Sequence, residues 1–291
     1  MIETGSPRRQ HFLNYDMRTL VPQPTSNHLD TVKAIIITNF PETLRSAVLL
    51  EVHQGQNWLD STLCAGISSA KSREVLEGEI FLAGLPKPPN HVYKAMSLSE
   101  VGCTYAHLKA LTIAAKSDRP SLILEDDAEF EPEKLRQVLG NLDNLPDSSV
   151  VKLEGNDKLG RRIVFGSSSS HRNFMISLRP SRGSAAYLVT PVSAARLLRA
   201  AHNYPLPYDV FLNDSNCHGC FLLDAVPFPI RQAGQTSSTI VRGIRKRSVG
   251  NRLARQFEKL KVRIGRFSAQ LCWARKANFT RVRFAKFYEK A

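Results

Sequence analysis

Three consecutive acidic residues, Glu125, Asp126 and Asp127, are the strongest chemical signal in the sequence. They follow residues 121–124, a short apolar run that predicts a buried strand. Because side chains alternate along a strand, we expect Glu125 and Asp127 on one face and Asp126 on the other. Neighbouring carboxylates repel each other unless a cation or hydrogen-bond donors offset their charge. Mg²⁺ and Mn²⁺ bind such oxygens and leave positions for substrate phosphates, so the cluster predicts a metal site, with an acidic helix cap as the alternative.

Strand and helix signals alternate around these acids. Ser97 and Glu100 fit a capping box, and Thr190 with Pro191 fits an N-cap followed by a first-turn proline. This alternation predicts an α/β fold with a mostly parallel sheet covered by helices on both faces, and ligands bind at the carboxyl ends of such strands. Strands are predicted at 32–38, 121–124 and 185–189, with further ones at 150–153 and 221–226, and helices at 39–50, 98–117, 132–139 and 191–201.

The joint spacing of several motifs resembles glycosyltransferase family 25, the lipooligosaccharide glycosyltransferases. The motifs that carry the resemblance are residues 98–108 (LSEVGCTYAHL), 122–128 (LILEDDA), 183–189 (GSAAYLV), 207–209 (PYD), 229–232 (PIRQ) and 237–240 (SSTI). Together they cover about residues 32–240. The resemblance implies a GT-A-like, Rossmann-type fold, a nucleotide-sugar donor and an inverting transfer that depends on Mn²⁺ or Mg²⁺.

The same resemblance suggests roles for individual residues. Glu125 and Asp127 are the expected metal ligands, because a metal that bridges the donor diphosphate stabilises the leaving charge. Asp209 is the expected catalytic base, with an N-cap of a short helix as the alternative. His107 is expected in the substrate pocket as a catalytic residue, whereas a buried, hydrogen-bonded histidine is the alternative. The residues expected to contact the donor are Asn39, Glu100, Gly102, Asp126, Gln232 and Ser238.

The segment Cys217-His218-Gly219-Cys220 has the spacing of a zinc or redox motif. A structural zinc site needs four ligands, and no second pair with zinc-like spacing accompanies it in the sequence. The segment also precedes an apolar run instead of opening a helix, as a redox CxxC motif would. We therefore predict a reduced loop.

Charge divides the chain into a neutral body and a basic extension. The 291 residues are 42% hydrophobic and 23% charged, which is typical of a globular protein and excludes a fibrous or wholly disordered chain. The formal net charge is +14, and residues 241–291 alone carry 16 Lys and Arg against two Glu. Polar, Pro-rich residues 1–31 predict a disordered leader. The expected organisation is this leader, a catalytic domain at 32–240 and a basic C-terminal extension at 241–291.

Apolar residues in the extension recur every three or four positions, which predicts an amphipathic helix. Such a helix with a basic polar side binds a membrane interface, and the alternative is packing on the body. Nucleic acid is not an expected partner, because no nucleic-acid-binding module accompanies the charge. The predicted stripe is Leu253, Phe257, Leu260, Ile264, Phe267 and Leu271, with the cations Arg252, Arg255, Lys259, Arg263 and Arg266 mainly elsewhere on the helix.

Location and activity follow from these observations together. Five scattered cysteines predict a reducing compartment, and neither a membrane-spanning run nor a signal-peptide core is expected. We therefore expect a cytoplasmic protein attached peripherally to the inner face of the membrane. The expected reaction moves a hexose, galactose from UDP-galactose, to a lipid-linked oligosaccharide such as the lipopolysaccharide core. The alternatives are a UDP-glucose or N-acetylhexosamine donor, or a non-catalytic membrane-associated scaffold.

Overall fold

The computed structural model describes most of the central part of the chain and two segments of the C-terminal extension. The described residues are 32–38, 59–67, 72–142, 145–155, 164–166, 174–177, 183–232, 249–276 and 280–282. The predicted leader at 1–31 and the predicted helix at 39–50 lie outside these ranges.

Strands and helices alternate along much of the described chain. The strands are β1 (Val32–Thr38), β2 (Leu59–Ala65), β3 (Ser121–Glu125), β4 (Ala128–Phe130), β5 (Ser149–Lys152), β6 (Val164–Gly166), β7 (Phe174–Ser177), β8 (Ala186–Val189), β9 (Phe221–Ala225), β10 (Ile230–Gln232) and β11 (Thr280–Val282). The helices are α1 (Arg73–Leu82), α2 (Asn90–Ala95), α3 (Leu98–Ala115), α4 (Pro132–Leu139), α5 (Pro191–Ala201), α6 (Tyr208–Leu212), α7 (Ser215–His218) and α8 (Val249–Lys276).

Nine of the described strands form one sheet in the order β11-β6-β7-β9-β5-β8-β3-β1-β2. Six of them point in the same direction, and β7, β8 and β11 run the opposite way. The expected common strand direction is therefore found for most strands, but the sheet is mixed. The predicted strand at 185–189 forms β8 and pairs antiparallel with both β3 and β5. An apolar run marks a buried strand but carries no information about its direction.

Helices cover both faces of the sheet, as the alternation predicts. One apolar core lies between the sheet and helices α1, α2, α3, α5 and α6, and it includes Ile35, Ile123 and Tyr187. The other lies under α4 and α8 and includes Ile36, Leu124 and Phe221. Successive residues of β1 and β3 thus enter opposite cores, because side chains alternate along a strand. The result is a three-layer α/β architecture.

Local sequence signals place the two longest helices of the body. The Ser97 side chain accepts a hydrogen bond from the Glu100 backbone, and the Glu100 carboxylate accepts from the Ser97 backbone, so the capping box at the start of α3 is confirmed. Thr190 caps α5, and Pro191 occupies its first turn. Such caps satisfy backbone N–H groups that have no partner within the helix. They therefore fix where α3 begins, and with it the axial positions of Cys103 and His107.

Helix α8 connects the basic extension to the sheet. Gln270 is fully buried, and its side-chain amide donates hydrogen bonds to the carbonyls of Ser177 and Leu222 at 3.5 and 3.3 Å. Trp273 stacks on Phe221 with ring centroids 4.9 Å apart. The extension also supplies β11, which pairs with β6 at the sheet edge. The domain boundaries expected at 31/32 and 240/241 stay a prediction.

The apolar stripe of α8 does not include these packed residues. Phe257 and Ile264 are 64% and 61% exposed, and Leu260 and Phe267 are also exposed. We refer to these four residues as the α8 stripe. The alternative considered above was that the stripe packs on the body. This packing is not seen for these four residues. The side chains of Leu253, Arg252, Arg255 and Lys259 lie outside the described part of the helix. Within the described residues, no helix has the length and apolar character needed to cross a membrane.

Candidate active site

The candidate site lies at the sheet edge where β3 and β5 end. Both strands pair antiparallel with β8, so the residues just before β8, Gly183 to Ala185, lie between their carboxyl ends. The Glu125 backbone donates to the Ala185 carbonyl at 2.8 Å, and the Leu153 backbone donates to the Ala186 carbonyl at 3.1 Å. The antiparallel insertion of β8 therefore brings the acid at the end of β3 close to residues about 60 positions later in the chain.

The three acids do not continue the strand as expected. Strand β3 ends at Glu125, and Asp126 and Asp127 form a turn before β4. The prediction that Glu125 and Asp127 lie on the same face of a strand is therefore wrong. Side chains alternate between faces only within the strand, and the strand ends before Asp127. Asp126 accepts a hydrogen bond from the Thr38 hydroxyl at 2.8 Å. Asp127 accepts from the Gln232 side-chain amide at 2.7 Å, so these two predicted site residues are neighbours.

Glu125 is held by side chains from two other elements. His107 Nε2 lies 3.2 Å from Glu125 Oε1, and the Ser184 hydroxyl donates to the same oxygen at 3.0 Å. Burial alone would raise the pKa of the Glu125 carboxyl, but the contacts with His107 and Ser184 hold it below its ordinary value. The carboxylate is therefore stabilised as an anion at the sheet edge.

His107 is the centre of a buried aromatic cluster. The ring is 1% exposed and stacks on Tyr208 with centroids 4.2 Å apart. His107 Nδ1 lies 3.0 Å from the Tyr187 hydroxyl, which in turn lies 2.9 Å from the Tyr208 hydroxyl. Burial raises the pKa of both tyrosines, so they stay neutral. His107 thus has the geometry of the alternative, a buried and hydrogen-bonded histidine, and it also contacts Glu125. Its catalytic role in a substrate pocket stays a prediction.

Cys103 lies one helical turn before His107 and is surrounded by predicted site residues. Burial raises the pKa of its thiol well above the ordinary value, and the negative charges of Glu125, Asp209, Asp127 and Glu100 raise it further. These four carboxylates therefore lie within electrostatic range of one sulfur atom. The structure thus gathers residues from α3, β3, the following turn and α6 into one strongly negative region.

Asp209 occupies the first turn of α6 without capping it. Pro207 is the residue at the N-cap position, so the alternative that Asp209 is the cap is not seen. Its backbone carbonyl accepts a hydrogen bond from the Asn213 side chain at 2.9 Å. The negative charge of the Asp209 side chain acts on Cys103, as do the charges of the metal-ligand candidates Glu125 and Asp127.

Two further predicted donor contacts lie on α3. The Glu100 carboxylate accepts from both the Ser97 backbone and the Ser97 hydroxyl, at 2.7 and 3.0 Å, so part of its hydrogen-bonding capacity serves the cap. Gly102 is buried in the same helix, next to Cys103. Asn39 and Ser238 lie outside the described residues.

Glu154 is a site acid that sequence reasoning missed. It follows β5 and is only 5% exposed. Burial raises the pKa of its carboxyl to about 7; the positive charge of Lys152 lowers the pKa, and the charges of Glu125 and Asp127 raise it. Gly183 has a φ of +113°, and a Cβ atom there would collide with the Glu154 carboxylate, so only glycine fits between this acid and Ser184. A single Glu in an apolar stretch carries no local signal of this arrangement.

The Cys217–Cys220 segment is structural in its described contacts. Both ring nitrogens of His218 face backbone groups, Leu212 O at 3.2 Å and Cys220 N at 3.1 Å. Burial lowers the pKa of His218 to about 4 and raises that of Cys220 to about 12. A neutral histidine and a protonated thiol agree with the predicted reduced state. The prediction of a loop is wrong for the first half of the segment, because Cys217 and His218 end helix α7.

The fold and the acidic sheet edge are features of an α/β enzyme that binds a ligand at the carboxyl ends of its strands. Residues 86–212 match the family model described as glycosyltransferase family 25 (LPS biosynthesis protein), which confirms the resemblance over that segment. The segment contains Cys103, His107, Glu125, Glu154 and Asp209. No curated protein matches the chain. By its description, the matched family consists of glycosyltransferases that act in lipopolysaccharide biosynthesis.

Proposed function

We propose that the protein is a metal-dependent, inverting glycosyltransferase that moves a hexose, galactose in the first instance, from a UDP-sugar to a lipid-linked oligosaccharide such as the lipopolysaccharide core. The observation that carries this proposal is the negative region around Cys103, formed by Glu100, Glu125, Asp127 and Asp209 within the segment that matches the family model. A donor diphosphate can approach such a region only together with a cation. The acids therefore favour a metal–nucleotide complex over a free anion.

The oxygen ligands at this edge fit a hard divalent ion. Glu125 and Asp127 would hold Mn²⁺ or Mg²⁺, which offsets the charge that develops on the departing diphosphate. Ser184 and His107 fix the Glu125 carboxylate, and Gln232 fixes that of Asp127. Such second contacts orient metal ligands and raise affinity. The role of Asp126 would be to bind the donor from the adjoining turn, where Thr38 orients its carboxylate.

A nucleotide-binding experiment tests the proposal without knowledge of the acceptor. UDP with Mn²⁺, at about 100 times the dissociation constant, is expected to raise the free energy of unfolding by about 2.7 kcal/mol. The increase should be much smaller with UDP or Mn²⁺ alone. A screen of UDP-galactose, UDP-glucose and UDP-N-acetylhexosamines for slow hydrolysis then separates the donor alternatives. A non-catalytic scaffold would show neither stabilisation nor hydrolysis.

Asp209 is proposed as the base that accepts the proton of the acceptor hydroxyl. Replacement Asp209→Asn is expected to lower kcat by about 10²–10⁴-fold with little change in KM for the donor, because a base acts in the transition state. Steady-state kinetics with saturating acceptor measure both constants. Loss of donor affinity with normal kcat would instead give Asp209 a binding role. Asp118→Asn provides a matched control, because Asp118 is an exposed acid at the opposite end of β3.

The α8 stripe supports a peripheral membrane location for the proposed enzyme. Four exposed apolar side chains lie on one side of α8, and exposed Lys261 and Arg263 flank them. This combination of an apolar face with neighbouring cations is typical of helices in a membrane interface. We propose that the protein lies on the inner face of the cytoplasmic membrane, where an anionic surface would hold it near a lipid-linked acceptor.

A further inference from the structure

Cys103, His107 and Glu125 bring three different metal-ligating atoms together. The thiol sulfur, an imidazole nitrogen and a carboxylate oxygen all lie within 4.8 Å of one another. Cys103 and His107 are four residues apart on α3, so both side chains lie on the same face of the helix. Glu125 completes the group from the end of β3. Among the described residues, this is the group of acids, cysteines and histidines that converges most closely.

The hydrogen bonds of His107 allow it to exist in two tautomers. With the proton on Nε2, the ring donates to Glu125, and Nδ1 accepts from the Tyr187 hydroxyl. With the proton on Nδ1, the ring donates to the Tyr187 oxygen, and the Nε2 lone pair faces Glu125. Tyr187 permits both states, because its hydroxyl can also donate to Tyr208. The second tautomer leaves a lone pair and a carboxylate opposed at 3.2 Å, an arrangement that is favourable only with a cation or proton between them.

We propose that Cys103, His107 and Glu125 form a binding site for a thiophilic divalent ion such as Zn²⁺, with solvent as the fourth ligand. Ligand atoms around tetrahedral Zn²⁺ lie about 3.3–3.7 Å apart, given bonds of about 2.0–2.3 Å. The His107–Glu125 separation of 3.2 Å is already close to this range. Side-chain rotation of Cys103 closes the remaining gap. The mixed sulfur, nitrogen and oxygen ligands favour Zn²⁺ over Mg²⁺ or Mn²⁺.

The surroundings of the site favour a bound cation. Glu100, Asp127 and Asp209 all act electrostatically on Cys103, and they disfavour its bare thiolate. A divalent ion offsets these charges, and the thiol releases its proton to solvent when the sulfur binds the metal. Tyr187 orients the imidazole through Nδ1, as the hydrogen-bond partners of metal-bound histidines commonly do.

This site shares Glu125 with the proposed donor metal. If the proposed function holds, Zn²⁺ at Cys103 therefore competes with Mn²⁺ for a common ligand, and micromolar Zn²⁺ inhibits transfer. Replacement Cys103→Ser would relieve that inhibition. This consequence rests on the proposed function, whereas binding of the ion does not.

Cobalt substitution tests the site by a signal that is independent of activity. Titration of the purified, metal-free protein with Co²⁺ is expected to produce the intense near-ultraviolet absorption of a cobalt–thiolate bond, and Zn²⁺ should abolish it. The Cys103→Ser variant should lack the absorption. Cys272→Ser is the matched control, because Cys272 is an exposed thiol on α8 and its removal should leave the spectrum unchanged. Tyr187→Phe should weaken Co²⁺ binding by about 10–100-fold.

A second measurement uses the wild-type protein alone. Zn²⁺ should protect Cys103 from alkylation by N-ethylmaleimide, as followed by peptide mass spectrometry, while Cys272 in the same sample stays reactive. Absence of the cobalt–thiolate absorption in the wild type, or its persistence in Cys103→Ser, would each overturn the proposal, as would labelling of Cys103 that proceeds at the same measurable rate with and without Zn²⁺. Stabilisation by UDP with Mn²⁺ would still be expected in that case, so failure of this site and failure of the proposed function are distinguishable.

Discussion

Replacement Asp127→Asn is expected to reduce glycosyl transfer by at least about 100-fold, comparable to the loss of a group that stabilises transition-state charge. The change removes an anionic metal ligand but keeps the size and shape of the side chain. Its remaining oxygen can still accept the hydrogen bond from Gln232, which in the wild type joins Gln232 Nε2 to Asp127 Oδ2 at 2.7 Å. The loss should therefore arise from weaker metal and diphosphate binding, with the fold preserved.

Activity and stability measured on the same preparation separate these effects. The Mn²⁺ concentration for half-maximal activity should rise in Asp127→Asn, while the free energy of unfolding should change by less than about 1 kcal/mol. Asp118→Asn removes an exposed acid elsewhere and should leave both quantities unchanged. Activity within tenfold of the wild type, with unaltered metal dependence, would contradict the assignment of Asp127 as a metal ligand.

Replacement of the whole α8 stripe by serine should abolish binding to anionic vesicles. Phe257, Leu260, Ile264 and Phe267 are exposed, so their removal deletes apolar surface available to a membrane without opening a cavity. Full burial of each such side chain contributes about 1.5–3 kcal/mol, so the combined change should weaken vesicle binding by more than about 100-fold. Co-sedimentation with vesicles of stated anionic lipid content measures the effect, and thermal unfolding should be nearly unchanged.

Salt dependence and charge reversal provide the controls for this prediction. Each Lys or Arg near an anionic surface contributes about 1 kcal/mol, which salt screens. Lys261→Glu with Arg263→Glu should therefore reduce vesicle binding and its salt dependence while transfer from a soluble donor continues. Vesicle binding by the serine variant that equals wild-type binding would exclude the stripe as the membrane contact.

Deletion of residues 241–291 is a poorer test than these substitutions. Gln270 and Trp273 contact Ser177, Leu222 and Phe221 of the sheet, and β11 pairs with β6. The deletion would expose this apolar contact and leave an edge strand unpaired. A truncated protein is thus expected to unfold more easily, whatever the role of the stripe.

Several elements of this protein are determined by local sequence. Ser97 and Glu100 begin α3, and Thr190 with Pro191 begins α5, because capping hydrogen bonds involve residues only three positions apart. The strand at 32–38 has the predicted bounds, since its apolar, β-branched residues must be buried on both faces. The acids at the end of β3 and in the following turn, and the family resemblance, are also evident without a structure, because both depend on residue type and spacing alone.

Only the tertiary structure decided how these elements form a site. The direction of β8 places Ser184 beside Glu125, 59 residues earlier, and Tyr187 beside His107, 80 residues earlier. Strand pairing of this kind is non-local, and the same apolar run fits either direction. Glu154 lies in the site for the same reason. The end of β5 is near the end of β3 because β8 pairs with both strands. On α8, periodicity predicted the apolar stripe, but Gln270 and Trp273 are the residues that pack against the sheet, and the stripe lies at the surface. Contact with the sheet, which the sequence pattern does not contain, decided which residues of the helix are packed.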